Sequence, residues 1–327
     1  NKMGLAAAAK KLKLERAYPD YRRMLDEVKP DLVCIGCRWL DQHRDMVVAA
    51  AERGVHIYME KPLCRTLAEA DEMVYACEKT HTRLVIATTT RHSPRIPVVK
   101  QMIADGKIGR IMELRGRGKE DKRGGGEDLW VLGTHVMDLI RLFGGNPSWC
   151  LGVVTAGGQR VTKADVAPGN EGIGPLAGDA VTAMYGLPNT AMAYFASQRS
   201  ASRERTRFGL TIYGTAGVLQ ITTGYLPTVK YLPDPSWSPG QSGAKWQDVT
   251  SAGLGKPETL DRAKDPNGNR PGVLELLAAI RENREPNGGI YDARAATEMI
   301  VAVFESHRQG TVAELPLKNR QNPLAML

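Results

Sequence analysis

The sequence predicts an α/β protein with two domains: a parallel sheet covered by helices, then an α+β domain whose sheet is mostly antiparallel. Two observations support this fold class. Through residue 90, short apolar strands alternate with helices, whereas after Arg91 most strands follow one another through short turns. A chain of 327 residues with 42% hydrophobic residues is long enough for two cores. We therefore predict domains over 1–90 and 91–327.

The first domain is predicted from the alternation of its elements. Strands separated by helices of this length form crossover units, so the strands are expected to run parallel with helices on both faces. The stretch Thr66-Leu-Ala-Glu69 has the capping-box pattern, which indicates that a helix begins there. In order, the predicted elements are helix 3–12, extended segment 14–18, helix 20–28, strand 31–36, helix 42–53, strand 55–59, helix 67–79 and strand 84–89.

The second domain is predicted from strands joined by short turns, which favour an antiparallel sheet. Two long irregular segments, 155–178 and 224–272, interrupt it, and loops of that length in a compact domain are usually functional or mobile. The predicted elements are helix 94–104, strand 111–117, helix 134–143, strand 149–154, the hairpin 180–185 and 191–196, and strands 207–213 and 217–222.

Composition argues against several classes of protein. The net charge is +8, but the Lys and Arg residues are scattered, so nucleic acid is not an expected partner. A basic surface also suits anionic cofactors and substrates. No apolar run approaches the roughly 18 to 20 residues that span a bilayer, so we expect no membrane insertion and a cytoplasmic protein.

The five cysteines are too few and too odd in number for a disulfide framework. Cys34 and Cys37 form a lone C-x-x-C pattern at the end of an apolar strand, and we expect packing thiols there rather than zinc or redox chemistry. We expect no metal site.

The tripeptide Glu60-Lys61-Pro62 ends the strand 55–59. Ligands of doubly wound sheets bind beyond the carboxyl ends of the strands, so Lys61 is expected to point into the cleft between the domains. An ammonium there can donate to a substrate oxygen and stabilise alkoxide character, which hydride transfer needs. Pro62 fixes φ and ends the strand. From the tripeptide alone, a surface Lys61 paired with Glu60 is equally compatible.

His135 is a second candidate for chemistry. With Thr134 as N-cap, it stands in the first turn of the helix 134–143, where the positive end of the helix dipole disfavours imidazolium. A neutral histidine is available as a base near neutral pH. Asp138, one turn further on, would orient or balance it. The alternative is a histidine that only caps the helix or packs between domains.

Three stretches follow one another along the chain, and it is their combination in this order that is specific. They are VHIYMEKPLCRTLAEADEMV, ATTTRHSPRIPVVKQMIADGKIGRI and GTHVMDLIRLFGG. Together they resemble the glucose–fructose oxidoreductase, inositol dehydrogenase and MocA family, and the similarity continues through LTIYGTAGVLQI to YDARAATEMIVAVFESHRQG. The resemblance implies a Rossmann-type dinucleotide-binding domain followed by a domain with an open, mostly antiparallel sheet. It implies oxidation or reduction of sugars, cyclitols and related alcohols with tightly held NAD or NADP. It would make Lys61 catalytic and His135 its partner for the hydroxyl proton.

The resemblance also suggests binding residues and assembly. A homo-oligomer formed through the C-terminal sheet is expected. Trp130, or Trp237 or Trp246 of the loop 224–272, would supply an aromatic platform for a sugar; alternatively Trp237 and Trp246 only anchor that loop. The residues expected at the cofactor are Cys37, Arg38, Trp39, His43, Glu60 and Lys61, and those expected at the carbohydrate-like substrate are Arg91, Asp128, Trp130 and Asp138.

Three features of the sequence differ from the family pattern. Val131 stands where an Asp often precedes the histidine by four residues. Arg38-Trp39 stands in place of a common Thr-Pro pair, where it would border the nicotinamide or the substrate, or only pack. The glycine-rich pyrophosphate loop is absent, and Gly124–Gly126 follows no strand that enters a helix. We therefore expect an N-terminally incomplete Rossmann-type sheet, with the segment 14–18 as a strand of it and roughly 40 to 60 residues upstream of Asn1.

Two other functions are open. One is an NAD-dependent glycoside hydrolase of the same family, which oxidises a sugar hydroxyl transiently, and the altered position 131 keeps it open. The other is a catalytically silent sugar-binding protein. Bound nicotinamide would separate both enzymes from the binding protein.

Overall fold

The computed structural model describes residues 2–201, 207–261, 263 and 268–327. The helices within these residues are α1 (Lys2–Leu12), α2 (Tyr21–Val28), α3 (His43–Ala51), α4 (Leu67–Thr80), α5 (Arg95–Ala104), α6 (Gly126–Val131), α7 (Gly133–Gly144), α8 (Pro239–Ser242), α9 (Arg270–Arg281) and α10 (Ile290–Gln309). The strands are β1 (Leu32–Ile35), β2 (His56–Met59), β3 (Leu84–Ile86), β4 (Ile111–Arg117), β5 (Trp149–Ala156), β6 (Gln159–Arg160), β7 (Ala167–Pro168), β8 (Pro175–Leu176), β9 (Ala180–Gly186), β10 (Met192–Gln198), β11 (Gly209–Gly214), β12 (Val218–Thr222), β13 (Val229–Leu232), β14 (Gln247–Thr250), β15 (Gly253–Leu254) and β16 (Ala313–Glu314).

The predicted parallel sheet is confirmed as β1-β2-β3, and all its pairs are parallel. Side chains alternate between its two faces, as they must in a strand. Ile57 and Met59 pack with residues of α3 and α4, whereas Tyr58 packs with Leu276 of α9 on the opposite face. The sheet is therefore covered on both faces, and one of the covering helices comes from late in the chain.

The predicted start of α4 is also confirmed. The Oγ1 of Thr66 accepts a 3.2 Å hydrogen bond from the backbone N–H of Glu69, which satisfies one of the free donors at the helix start. The Glu69 carboxylate accepts from the backbone N–H of Arg65 at 2.9 Å. This cap ends the loop that carries Lys61, so the loop enters α4 at a fixed point.

The prediction of a strand over 14–18 is wrong. The segment forms no ladder, and Leu14 is exposed. A strand needs a neighbour for its backbone groups, and among the described residues β1 pairs only with β2. The same open edge explains why Cys34, expected to pack, is exposed.

The second sheet has eleven strands within the described residues, in the order β15-β14-β13-β12-β11-β4-β10-β9-β5-β16, with β6 paired to β5. It is mostly antiparallel, with one parallel pair between β4 and β10. The helices α7 and α10 cover one face, where the Tyr185 hydroxyl donates to the Met299 carbonyl at 3.0 Å. The predicted hairpin is confirmed as β9 and β10.

The segment 224–272, expected to be irregular, contains β13, β14 and β15, although 262 and 264–267 lie outside the described residues. The Nε1 of Trp237 donates to the Gly214 carbonyl at 2.8 Å, and its ring packs on Tyr213 at 4.9 Å. Trp237 therefore anchors the segment to the sheet. Over the residues described, no helix combines the length and hydropathy needed to cross a membrane.

Candidate functional site

Lys61 lies where the tip of β2 meets the α6–α7 junction of the second domain. Its Nζ donates a 2.9 Å hydrogen bond to the Val131 carbonyl, the last residue of α6. Burial lowers the pKa of Lys61, and the negative charges of Glu60 and Glu171 oppose that shift. The ammonium is therefore a partly desolvated donor, whose electrostatic effect on a bound oxygen is stronger than in water.

His135 lies in the first turn of α7, close to Lys61. Burial, and then the positive charge of Lys61, lower the pKa of His135 to about 3, so its imidazole is neutral at physiological pH. Its Nδ1 is buried, and no partner for it lies among the described residues. The ring meets that of Phe208 edge-on at 6.4 Å. A neutral, unpartnered imidazole beside an ammonium can exchange a proton with a ligand.

The prediction that Thr134 caps this helix is wrong. α7 begins at Gly133, so Thr134 lies inside it, and the backbone N–H of His135 donates to the Leu132 carbonyl. α6 ends at Val131, and Leu132 alone separates the two helices. The glycine run Gly124–Gly126 hid α6 from sequence reasoning because glycine disfavours helix.

A cavity of about 770 Å³ opens near Lys61, and neither Lys61 nor His135 is among the residues that line it. The charges of Arg38, Arg123 and Glu171, which line it, act on Lys61, so the cavity and the ammonium are neighbours. The lining carries three cationic and three anionic side chains together with one indole. It comprises Arg38, Trp39, Asp121, Lys122, Arg123, Glu127, Gly169, Asn170 and Glu171.

The segment 169–172 crosses from the second domain to the first at this cavity. Glu171 forms an ion pair with Arg38, which follows β1. Asn170 donates to the Glu127 carboxylate at 3.2 Å, so the same segment is also tied to α6. Sequence reasoning did not single out Asn170 or Glu171. The signal available was the length of the segment 155–178, which does not say which of its residues reach the cleft.

His43, predicted to bind the cofactor, is fully buried and braces two loops instead. Its Nε2 lies 2.7 Å from the Cys37 carbonyl, and its Nδ1 lies 2.9 Å from the Pro62 carbonyl. The ring lies between carbonyls of the two loops and donates from its N–H to one of them, so it bridges the loop after β1 and the loop after β2. These contacts position the loops that carry Cys37 and Lys61, and a role of His43 at the cofactor stays a prediction.

Arg91 and Asp138, predicted to bind substrate, form a buried ion pair. Their side chains are 4% and 2% exposed, and the closest nitrogen–oxygen distance is 2.7 Å. Arg91 also donates to the Asn287 side chain at 2.9 Å. The Asp138 carboxylate is thus engaged by Arg91 and is not bonded to His135. The ion pair gives both residues a structural role, and their role at a substrate stays a prediction.

Asp128 and Trp130 are also buried, and neither is among the residues that line the cavity. The Asp128 carboxylate accepts from the Ser197 hydroxyl at 2.5 Å and from the backbone N–H of Glu120 at 3.0 Å. Burial raises its pKa. Trp130 is 1% exposed in the main hydrophobic core. Asp128 fastens α6 to the second sheet and Trp130 fills the core, while the Asp128 Oδ1 and the Trp130 Nε1 have no hydrogen-bond partner among the described residues. Their roles at a substrate stay predictions.

The other predicted cofactor residues gather at the strand tips. Arg38 and Trp39 line the cavity, and Cys37 is partly buried behind them, with its Sγ 3.9 Å from the Trp39 carbonyl. The Glu60 carboxylate accepts from the backbone N–H of Lys61 at 3.2 Å. The carboxyl ends of β1 and β2 thus bring Cys37, Arg38, Trp39, Glu60 and Lys61 to one edge of the sheet.

Comparison with known proteins identifies the family of the chain. Residues 1–88 match the model of an oxidoreductase family with an NAD-binding Rossmann fold, GFO/IDH/MocA, and residues 98–220 match the GFO/IDH/MocA C-terminal domain. Levoglucosan dehydrogenase of Pseudarthrobacter phenanthrenivorans is 27% identical over 237 residues, which are 65% of this chain and 60% of that protein. D-apiose dehydrogenase of Paraburkholderia graminis is 25% identical over 98% of this chain and 82% of its own length.

A solved structure of levoglucosan dehydrogenase in complex with NADH and levoglucosan has the same fold, with a TM-score of 0.75. The match covers 97% of this chain and 88% of that one at 23% identity. The likeness confirms the predicted succession of a Rossmann-type parallel sheet and a mostly antiparallel sheet.

Proposed function

The chain belongs to the GFO/IDH/MocA oxidoreductase family, and we propose that it transfers a hydride between a nicotinamide cofactor and a hydroxyl-bearing carbon of a sugar, cyclitol or related polyol. One observation carries the proposal: the Lys61 ammonium, 2.9 Å from the Val131 carbonyl, stands beside the neutral and unpartnered imidazole of His135. A donor next to a proton acceptor is the pair that interconversion of an alcohol and a carbonyl requires.

Each of the two residues has a distinct task. When bound, the nicotinamide accepts or supplies the hydride at the carbon that carries the reacting oxygen. Lys61 donates a hydrogen bond to that oxygen and stabilises its developing negative charge. His135 takes the hydroxyl proton when the alcohol is oxidised and returns it when the carbonyl is reduced. Both groups are held in the cleft before any ligand arrives, which lowers the cost of orienting them.

The first domain is proposed to hold NAD or NADP. Its strand tips bring Arg38, Trp39, Glu60 and Lys61 to the edge where doubly wound sheets bind ligands. The unpartnered Nδ1 of His135 and the partly desolvated Lys61 ammonium fit the reactive end of a nicotinamide and its substrate. The division of work into 1–90 for the cofactor and 91–327 for the substrate is part of the proposal.

An uncharged polyhydroxylated substrate is favoured by the cavity. Its three cations are balanced by three anions, and Arg38 and Arg123 already pair with Glu171 and Asp121. Charged and amide side chains that alternate around a cavity suit a ligand with many hydroxyls. The relatives named for levoglucosan and D-apiose support the same class of substrate.

We also propose a homo-oligomer formed through the second sheet, and a cytoplasmic location. The sheet face opposite α7 and α10 carries exposed Leu151 and Val153, next to partly exposed Met184 and Tyr194 in neighbouring strands. An apolar sheet face of this kind is typical of subunit contacts. All five cysteines are free, which suits a reducing compartment.

The test is a screen of uncharged monosaccharides and cyclitols, then sugar acids, each with NAD and with NADP. Nicotinamide absorbance is followed together with the release of an aglycone from aryl glycosides. Steady reduction of the cofactor supports the proposal. Aglycone release without net reduction would assign the family's hydrolase chemistry instead. If neither signal appears and the protein binds no nicotinamide, both enzyme functions fail and the sugar-binding alternative stands.

A further inference from the structure

We propose that Trp39 is the platform on which the ring of a cyclic substrate stacks, so that this residue makes the enzyme prefer cyclic sugars and cyclitols to acyclic polyols. The inference rests on the proposed function, which leaves open how a substrate ring is recognised. Of the sequence-based expectations for Trp39, it selects the substrate rather than the cofactor, and it assigns to Trp39 the platform expected of Trp130, Trp237 or Trp246.

Trp39 is a large apolar side chain left exposed inside a polar cavity. It is 52% exposed, and it lines the cavity of about 770 Å³ together with Arg123, Glu127 and Asn170. A half-exposed indole leaves apolar area in contact with water that a ligand can cover. Sugars and cyclitols present weakly apolar C–H faces, which stack on aromatic rings, and hydroxyl edges, which need polar partners. The cavity offers both kinds of surface side by side.

The backbone beneath this indole is fixed on several sides. The Trp39 carbonyl accepts from the backbone N–H of Gln42 at 3.1 Å, and the next residue, Leu40, is fully buried. Two residues before it, the Cys37 carbonyl is held by His43 at 2.7 Å. A platform whose base is ordered before binding loses little conformational entropy when a ligand stacks on it.

The indole of Trp39 is also free to hydrogen-bond. Across the residues that the structure describes, its Nε1 has no partner, so this N–H can donate to a hydroxyl at the rim of a stacked ring. Arg38, its neighbour in sequence, is engaged in an ion pair with Glu171. The same ligand can thus stack on the indole ring and accept a hydrogen bond from its N–H.

The other four tryptophans are accounted for elsewhere. Trp130 is buried in the core, and Trp237 is stacked on Tyr213. Trp149 packs beside Gly186 in the second sheet, and Trp246 is 40% exposed next to β14, away from the cavity lining. Trp39 is therefore the tryptophan that lines this cavity.

The experiment compares the parent protein with Trp39→Ala, Trp39→Phe and the control Trp246→Ala, which removes an indole of similar exposure outside the cavity. Binding of D-glucose, myo-inositol and the acyclic polyol D-glucitol is measured by calorimetry with saturating NAD. Turnover of each is measured in parallel, and NAD affinity is measured alone. Neither tryptophan is buried, so all variants are expected to fold.

Stacking predicts that Trp39→Ala weakens binding of the cyclic compound that the parent binds best by about tenfold, with little change for D-glucitol. Trp39→Phe should recover most of that loss, and Trp246→Ala should match the parent. Cyclic binding that is unchanged in Trp39→Ala overturns the inference. So does a loss of NAD affinity without a selective loss of cyclic ligand, because Trp39 would then belong to the cofactor site. Absence of turnover by the parent is a failure of the proposed function, and it leaves the binding comparison decisive for Trp39.

Discussion

The Lys61 ammonium donates a 2.9 Å hydrogen bond to the main-chain carbonyl of Val131, and this contact joins the tip of the parallel sheet to the helix pair of the second domain. Val131 stands where the family resemblance led us to expect a carboxylate. A carbonyl holds the ammonium without adding a charge, so burial is the largest influence on the pKa of Lys61 and lowers it. The donor can therefore exchange a neutral acceptor for a substrate oxygen without breaking an ion pair at Val131.

Replacing His135 by Asn should lower kcat by about 100- to 10,000-fold, the range expected for losing a general base. NAD affinity should change little. Because burial and Lys61 hold the pKa of His135 at about 3, the kcat/KM profile of the parent should show no acidic limb from this residue near pH 6.5. A limb there that disappears in His135→Asn would contradict this electrostatic description. His81→Asn, which changes an exposed histidine at the end of α4, is the control.

The same pKa predicts how stability depends on pH. His135 titrates at about 3 when folded and at 6.5 when unfolded, so the unfolded protein binds more protons between these values. Above pH 6.5 the titration of His135 does not reduce the free energy of unfolding. As the pH falls from 6.5 towards 3, it reduces that free energy by up to about 1.4 kcal/mol per pH unit. Urea unfolding across this window should give a shallower loss in His135→Asn than in the parent. Parallel losses would show that His135 is not held neutral by the fold.

Replacing His43 by Ala should cost stability and activity together. The substitution leaves the buried carbonyl that accepts from the His43 ring without its donor, at about 1 to 3 kcal/mol. The loop that carries Lys61 also loses its brace to the loop after β1. We expect a lower melting temperature and a reduced kcat measured well below it, with a partial recovery in His43→Asn, which keeps one donor. A variant with the melting temperature and kcat of the parent would rule out the brace.

Arg91→Met should destabilise the protein by about 3 to 5 kcal/mol, because it leaves the buried carboxylate of Asp138 without its partner. The double variant Arg91→Met/Asp138→Leu should recover most of that loss, since an apolar pair is often as stable as a buried ion pair. Denaturant unfolding measures both effects. The substrate KM of the double variant should stay near that of the parent. A large rise in KM would support the substrate role that the sequence suggested.

Local signals in the sequence were enough to predict the parallel sheet and the position of Lys61 at the end of a strand. The strand β2, Pro62 and the cap of α4 lie within a few residues of one another, and each follows from short-range chemistry. His135 was found in the same way, although its helix begins one residue earlier than its supposed cap. These features depend little on partners distant in sequence.

The contacts of the other candidate site residues do depend on partners distant in sequence. Asp128 is bonded to Ser197, and Arg91 to Asp138, at separations that no local pattern encodes. The contact of Glu171 with Arg38 depends on the path of a long segment over the surface. The extended segment 14–18 had the composition of a strand, but a strand also needs a neighbour to pair with.

The most direct test of the proposed chemistry is a single-turnover measurement with Lys61→Met and the best substrate from the screen. Nicotinamide absorbance is followed after the enzyme, saturated with cofactor, is mixed with that substrate. The parent should show the absorbance change, and Lys61→Met should slow it by about 100-fold or more with cofactor affinity nearly unchanged. Lys100→Met, which removes another lysine whose pKa is lowered by burial, should behave like the parent. Equal rates in Lys61→Met and the parent would contradict the assignment of Lys61 as the group that stabilises the reacting oxygen.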